Sequence, residues 1–309
     1  MAKRSHSRDD FDSPWKEALQ AYLPSFLGFF FADIHTDVDW TRGYESLDKE
    51  FQQIVRRAKV GKCLADKLFK IWLKDGGERW LLIHIEIQGD YEKEFPERMF
   101  DYHVAARQLY NQQVVSLAVL CDDNANWRPT TFEYENWSCR LHLTFRIAKL
   151  LDFAADLSAL ERSDNPFGAV VLAHLQAQAT RGDPANRGRQ KLDLVKGLYR
   201  RSWTADDVRR LFRLIDWMMA LPDEFENRFW AEHEAYEEET KMEYVTSVER
   251  IGYRRGLVDG IKLLLDAKFG REGVKLLSYT EKLDVGELKK FARFLKKAKT
   301  VDDVRGYFE

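Results

Sequence analysis

Two apolar, β-rich runs flank the short polar break Lys74-Asp75-Gly76-Gly77-Glu78 within the stretch LADKLFKIWLKDGGERWLLIHIEIQG, from Leu64 to Gly89. A glycine-containing break between two such runs predicts a β-hairpin. With Gly76 at the middle of the turn, residues equidistant from it pair, so Asp66 lies opposite Glu86. Cross-strand partners point to the same side, and two carboxylates therefore meet. The strand period of two puts His84 and Gln88 on the side of Glu86 and turns Ile83, Ile85 and Ile87 the other way.

The rest of the chain follows from its punctuation. Ser13-Pro14 starts a helix through WKEALQAYL, with the serine as N-cap, and Pro24 starts a second apolar helix, SFLGFFFADI. Phe26, Phe29, Phe30 and Phe31 recur at helical spacing, which favours core packing over base stacking. Between Asp39 and Lys59 the pattern is ambiguous. Beyond the hairpin, Pro96 opens a helix of about four turns to Tyr110, the crossover that a parallel strand requires. Gln113 to Cys121 is a nearly continuous apolar strand of the kind buried on both faces of a parallel sheet, and Asp122 and Asp123 cap the loop after it. Thr131 to Arg146 adds one or two strands.

After Asp152 the β signals stop. Asn165-Pro166 begins a helix with Gly182 as its C-cap, and Thr204 with Asp207 forms a capping-box variant before a helix to Leu221. Glu237-Glu238-Glu239 reads as a solvated acidic join. Gly252, Gly256 and Gly260 recur every four residues, and each costs a soluble helix about 1 kcal/mol relative to alanine, so the stripe predicts the close approach of another helix. That helix belongs either to the same chain or to a second copy in a homodimer.

A chain of 309 residues with 45% hydrophobic and 13% aromatic content can bury a sizeable core as one large domain or two ordinary ones. Its net charge of −2 with 32% charged residues excludes a global basic field, so any nucleic-acid contact must be local. The densest local patch lies between Arg181 and Arg213, with Arg187, Arg189, Lys191, Lys196, Arg200, Arg201, Arg209 and Arg210. Cys63, Cys121 and Cys139 form no CxxC pair and lie in apolar strand-like runs, which reads as reduced, buried thiols rather than disulfides or a zinc site. The first residues, MAKRSHSRDDFD, lack an apolar signal region, and no run approaches the length that spans a bilayer, so a soluble cytoplasmic protein without a membrane partner is expected.

Opposed carboxylates in a partly buried sheet repel, and one must bind a proton unless a cation lies between them. Carboxylate oxygens are natural ligands of Mg²⁺, which keeps several waters and takes further ligands from substrate phosphates. Arg98 and Tyr102 are four apart and share a helix face. Turned toward the carboxylates, Arg98 would hold a scissile phosphate bidentately; turned outward, it would stack on Tyr102 at the surface.

Ala65-Asp66, a strand, a turn and then Glu86-Ile87-Gln88 resemble motifs II and III of the PD-(D/E)XK nucleases. The wider run DKLFKIWLKDGGERWLLIHIEIQG followed by FPERMFDYHVAARQLY is similar to the Rpn family of recombination-promoting nucleases, also described as transposase-like proteins, over roughly residues 10 to 153. The resemblance implies an α/β, restriction-endonuclease-like mixed-sheet core flanked by helices in residues 1–153, followed by an all-helical C-terminal region in 154–309. It implies DNA as partner and Mg²⁺, with Mn²⁺ as substitute, as cofactor. Asp66, Glu86 and the Ile87 carbonyl would hold the metal, and Gln88 would orient the attacking water from the position where the superfamily has lysine. An additional acidic residue before motif II would be Glu45 or Glu50, in a segment that the family leads into the first strand. Ala65 replaces the proline of the motif name. The implied activity is a metal-dependent DNA endonuclease associated with recombination or mobile elements; the alternative is a catalytically degenerate nuclease fold that binds a partner through its C-terminal helices. A strand-transfer enzyme would need a second acidic cluster, and the sequence contains none.

Overall fold

The central hairpin forms in the expected register. In the computed structural model, which describes residues 12–48, 66–74, 80–240, 246–283, 285–298 and 300–308, strands β2 (Asp66–Trp72) and β3 (Trp80–Gln88) run antiparallel. Asp66 stands opposite Glu86, and Leu68 opposite His84. The turn at 75–79 lies outside the described residues. A two-residue strand β1 (Glu45–Ser46) pairs with the outer edge of β2.

The crossover also forms. The helix Phe95–Tyr110 leads from β3 into β4 (Val114–Leu120), which lies parallel to β3 with Ala118 beside Glu86 and Leu120 beside Gln88. Strands β5 (Thr131–Asn136) and β6 (Cys139–Thr144) make a separate antiparallel ribbon, and β7 (Arg146–Lys149) returns parallel to β4. Among the described residues the order is therefore β1-β2-β3-β4-β7, a mixed five-stranded sheet. After β7 the described elements are all helical.

The aromatic run after Pro24 is core. The first helix, Asp12–Phe30, breaks at Tyr22 (φ −134°, ψ 37°), two residues before Pro24, whose missing N–H and bulky ring interrupt the helical bond to the carbonyl four residues back. Phe26 packs on Phe167 of the helix Pro166–Ala179 with ring centroids 5.3 Å apart, and Trp15 lies 5.9 Å from the same ring. Asn165 caps that helix by accepting from Phe167 N–H.

The chain divides into two compact units, one of the chain to Trp203 with Arg210–Ala220, the other of Thr204–Arg209 with the chain from Leu221 onward. The switch from strands to helices at Asp152 falls inside the first. In the second, Thr204 accepts from Asp207 N–H at 3.1 Å, as the capping pattern predicts. Its long helix Thr246–Val274 packs Ile261 and Leu265 with Leu288, Phe291 and Leu295. A Cβ built on Gly260 meets no atom within 4 Å, so that member of the glycine stripe has no close neighbour among the described residues. The surroundings of Gly252 and Gly256 lie outside the described residues.

Two local expectations are corrected. Cys139 is exposed, because it lies at the turn end of a ribbon of β5 and β6 whose residues are mostly exposed, whereas Cys121 is buried as expected. Burial pushes the Cys121 thiol up, out of the range of a reactive thiolate. Cys63 lies outside the described residues. Glu237 is 3% exposed and continues the helix Asp223–Thr240 instead of forming a solvated join; it is one turn from buried His233, and the i, i+4 spacing puts both on one covered stripe.

One buried histidine makes the first unit sensitive to pH. Trp15 Nε1–H donates to His174 Nδ1 at 3.4 Å, which leaves Nε2–H to donate to the Cys121 carbonyl at 3.3 Å and requires a neutral ring. Burial pushes the His174 pKa down to about 4, against a smaller upward pull from the Cys121 carbonyl. In the unfolded chain the ring takes its proton near the ordinary histidine value of 6.5. The stabilisation is therefore complete above that value and is lost as pH falls toward about 4, by about 3 kcal/mol in all at 1.36 kcal/mol per pKa unit. Urea unfolding at pH values of about 7 and 4.5 checks this: wild type is expected to lose more stability over that interval than His174→Gln, and equal losses would place the acid sensitivity elsewhere.

Candidate functional site

The covering of β3 decides what Glu86 can do. One side of the helix Phe95–Tyr110 packs Tyr102 and Ala106 on Leu68 and Leu82, while Phe95 and Met99 pack on Ala118, Leu120 and Phe145. These two apolar clusters lie over the face on which the register puts Asp66, His84, Glu86 and Gln88. Glu86 has no exposed surface, and a carboxylate taken out of water needs a counter-charge.

Arg98 supplies one. Its Nη2 donates to Glu86 Oε1 at 3.0 Å and to Gln88 Oε1 at 2.5 Å, while Nη1 donates to the Glu92 carboxylate. The guanidinium also lies 5.3 Å from the centre of the Phe95 ring. Gln88 is held at both ends, because its Nε2 donates to the Asp90 carbonyl at 2.6 Å and to Glu92 Oε2 at 3.3 Å. Arg98 thus joins a buried carboxylate to a half-exposed one, with the Gln88 amide bridging the same two groups.

The other expected residues fall in different places. Asp66 is paired with Glu86 by strand register, and its side chain lies outside the described set. Ile87 is buried, one position from Glu86 and hence on the opposite face of the sheet, so only its backbone is offered toward a ligand of Glu86. Tyr102 does share the face of Arg98, yet it is fully buried with its ring 5.6 Å from that of His84. Glu50 lies outside the described residues, and Glu45 is exposed with Lys70 at 3.3 Å. Asp122 caps its loop as expected, accepting from Asn124 N–H at 2.9 Å.

Sequence reasoning did not single out Glu92, His103 or Ser116. His103 Nδ1 and Ser116 Oγ are 3.1 Å apart, and burial together with the neighbouring His84 pushes the His103 pKa down. These groups extend the polar row on the Glu86 face. His103 is five positions beyond Arg98, and Glu92 precedes the helix, so neither shares a periodic pattern with the motif.

The donor chemistry bears on a metal. Among the described residues no group of three or more His, Cys, Asp or Glu side chains is arranged to hold an ion, and the carboxylate of residue 66 is not among those described. Among the described side chains of β3 on this face, Glu86 and Gln88 bring oxygen donors and His84 a ring nitrogen. Carboxylate and amide oxygens are the donor types that suit Mg²⁺ or Mn²⁺. Such a cation would have to share the Glu86 carboxylate with Arg98.

The basic stretch from Arg181 to Arg213 is largely committed to the fold. Arg187 is buried and donates to Thr180 Oγ1, the Ala177 carbonyl and the Ala220 carbonyl. Lys191 is buried with its Nζ 2.6 Å from Asp216, and Arg201 donates to the carbonyls of Leu160 and Glu161. Arg209 and Arg213 pair with Asp206 and Glu17. Arg189, Arg200 and Arg210 are exposed. Among the described residues no helix is long and apolar enough to cross a membrane.

No family model, curated protein or solved structure matches this chain.

Proposed function

We propose that this chain is a Mg²⁺-dependent endonuclease that hydrolyses DNA phosphodiesters on the PD-(D/E)XK plan, in the service of recombination or mobile elements. The observation that carries the reading is the pairing of Asp66 with Glu86 across β2 and β3, with Gln88 and Arg98 gathered on the same face. A sheet that begins as an antiparallel meander and continues through a helical crossover into a parallel strand supports it. A divalent cation held by Asp66, Glu86 and the Ile87 carbonyl would lower the pKa of a bound water and offset charge developing on the phosphate.

The chain's own groups do the rest. Packing over β3 excludes water from Glu86 and fixes its carboxylate through Arg98. Arg98 lies in the first turn of its helix, where the backbone dipole adds to the attraction for an anion. Tyr102 packs against Leu68 and Leu82 and so sets the helix rotation that aims Arg98 inward.

A second reading rests on the same arginine. Because Arg98 already neutralises Glu86, the Glu86 charge is met without a metal, as in a nuclease fold that has become a binding protein. Supercoiled DNA incubated with wild type and Glu86→Gln in Mg²⁺ and in Mn²⁺ separates the two. The nuclease reading expects metal-dependent nicking by wild type and background for Glu86→Gln, with a matching loss of metal binding in calorimetry. An intact wild type that binds no metal and cuts in neither would establish the binding protein.

A further inference from the structure

We propose that Arg98, reaching in from the helix after β3, supplies the positive charge that a lysine at position 88 would supply, and that Gln88 is the positioning residue that holds it. This rests on the nuclease reading and assigns, within it, the group that meets the phosphate.

The hydrogen bonds of Gln88 are the first support. Its carbonyl oxygen accepts from Arg98 Nη2 at 2.5 Å and its amide nitrogen donates to the Asp90 carbonyl at 2.6 Å, so neither end is presented to an attacking water. The position of the charge is the second. Arg98 Nη2 is 3.0 Å from Glu86 Oε1 and within hydrogen-bond reach of the tip of residue 88, which is where the ammonium of a lysine at 88 would have to stand. A guanidinium stays protonated at all working pH values and offers a planar fork, so it delivers charge and two directed donors together.

The partners of that fork divide its work. Nη2 is tied inward to Glu86 and Gln88, whereas Nη1 is tied to Glu92, whose side chain is 37% exposed. The Nη1 edge is therefore the one that exchanges its carboxylate for a phosphate oxygen when DNA arrives. Glu92 and the Phe95 ring keep the guanidinium in place until then.

The test compares Arg98→Gln, Arg98→Lys, Gln88→Lys and the Arg98→Gln/Gln88→Lys double variant with wild type. Arg98→Gln is expected to lose about 100-fold or more in cleavage rate, the scale of one preorganised electrostatic donor. Its Mg²⁺ affinity in calorimetry should be equal or higher, because a cation that shares Glu86 has gone. Gln88→Lys in that background is expected to restore cleavage, with a rate that falls as the new lysine deprotonates toward its ordinary pKa of about 10.4, a limb that wild type lacks. The double variant keeps a cation beside Glu86, so it decides the matter even where Arg98→Gln alone is too unstable to assay. Wild-type cleavage retained in full by Arg98→Gln, or a folded double variant without activity, would overturn the assignment and leave the nuclease reading standing. Failure of wild type to cut would remove both.

Discussion

Glu86→Ala is expected to lower the unfolding free energy of the sheet-bearing unit by about 3 to 5 kcal/mol, the cost of removing one partner from a buried ion pair. The side chains concerned are 0% exposed for Glu86 and 8% for Arg98, so little solvent is at hand to replace the lost carboxylate. Alanine leaves the guanidinium with Glu92 and Gln88 but without its inward charge. Glu86→Gln keeps an acceptor of the same shape and should cost less, although it too should abolish metal-dependent cleavage. Replacing both partners, as in Glu86→Leu with Arg98→Met, should recover most of the stability and none of the activity, because an apolar pair of similar volume needs no counter-charge. Urea midpoints with unchanged m-values are the measurement. A loss below about 1 kcal/mol for Glu86→Ala would mean that Arg98 escapes to solvent at little cost, in the manner of an exposed pair.

The parts of this site that were legible in the sequence are those governed by local rules. A glycine-containing break between two apolar runs predicts a hairpin centred on Gly76, and the strands pair in that register, with Asp66 opposite Glu86. An apolar run after a proline-started helix yields the parallel strand, and Asn165 and Thr204 cap the helices that their sequences announce. The helical spacing of Arg98 and Tyr102 placed them on one face. What it could not say was whether that face turns toward the sheet, since this depends on how the helix rotates as Phe95, Met99 and Tyr102 find their partners across β2, β3 and β4.

Burial misled the reading wherever charge was taken as a sign of the surface. Arg187 and Lys191 fall at i and i+4 and continue into Leu194 and Leu198, an inward stripe in the helix Pro184–Tyr199, and their charges are met by carbonyls and by Asp216. Helical period, and not charge, marks that stripe in the sequence. Glu237 errs in the same direction, one turn from His233. Cys139 errs in the opposite one, because it sits at the turn end of a two-stranded ribbon whose residues are mostly exposed, although its sequence looks like a buried strand. Glu92 lies in the loop just before the helix, six residues from Arg98, where no helical or strand period marks it.

A second buried pair holds the far end of the site, and breaking it is expected to cost about as much as losing Glu86. Lys149 Nζ lies 2.5 Å from Asp122 Oδ2, with the two side chains 0% and 2% exposed. Lys149 also meets the Trp127 carbonyl at 3.4 Å and lies 5.6 Å from the centre of that indole ring. The pair joins the end of β7 to the loop after β4, and one residue earlier Cys121 N–H donates to the Gln88 carbonyl at 2.8 Å. The backbone of Gln88 is therefore anchored to the segment that Asp122 and Lys149 secure. Lys149→Met keeps much of the volume but leaves the Asp122 carboxylate without its cation, which should destabilise the unit by about 3 to 5 kcal/mol. Asp122→Asn should be milder, because the amide oxygen can still accept from Asn124 N–H and cap the loop. Under conditions where Lys149→Met remains folded, its metal binding should persist while cleavage falls, since Glu86 is untouched and Gln88 is less firmly placed. A Lys149→Met protein as stable as wild type would show that the pair relaxes to solvent, and full cleavage by it would show that Gln88 is held in position by the strand alone.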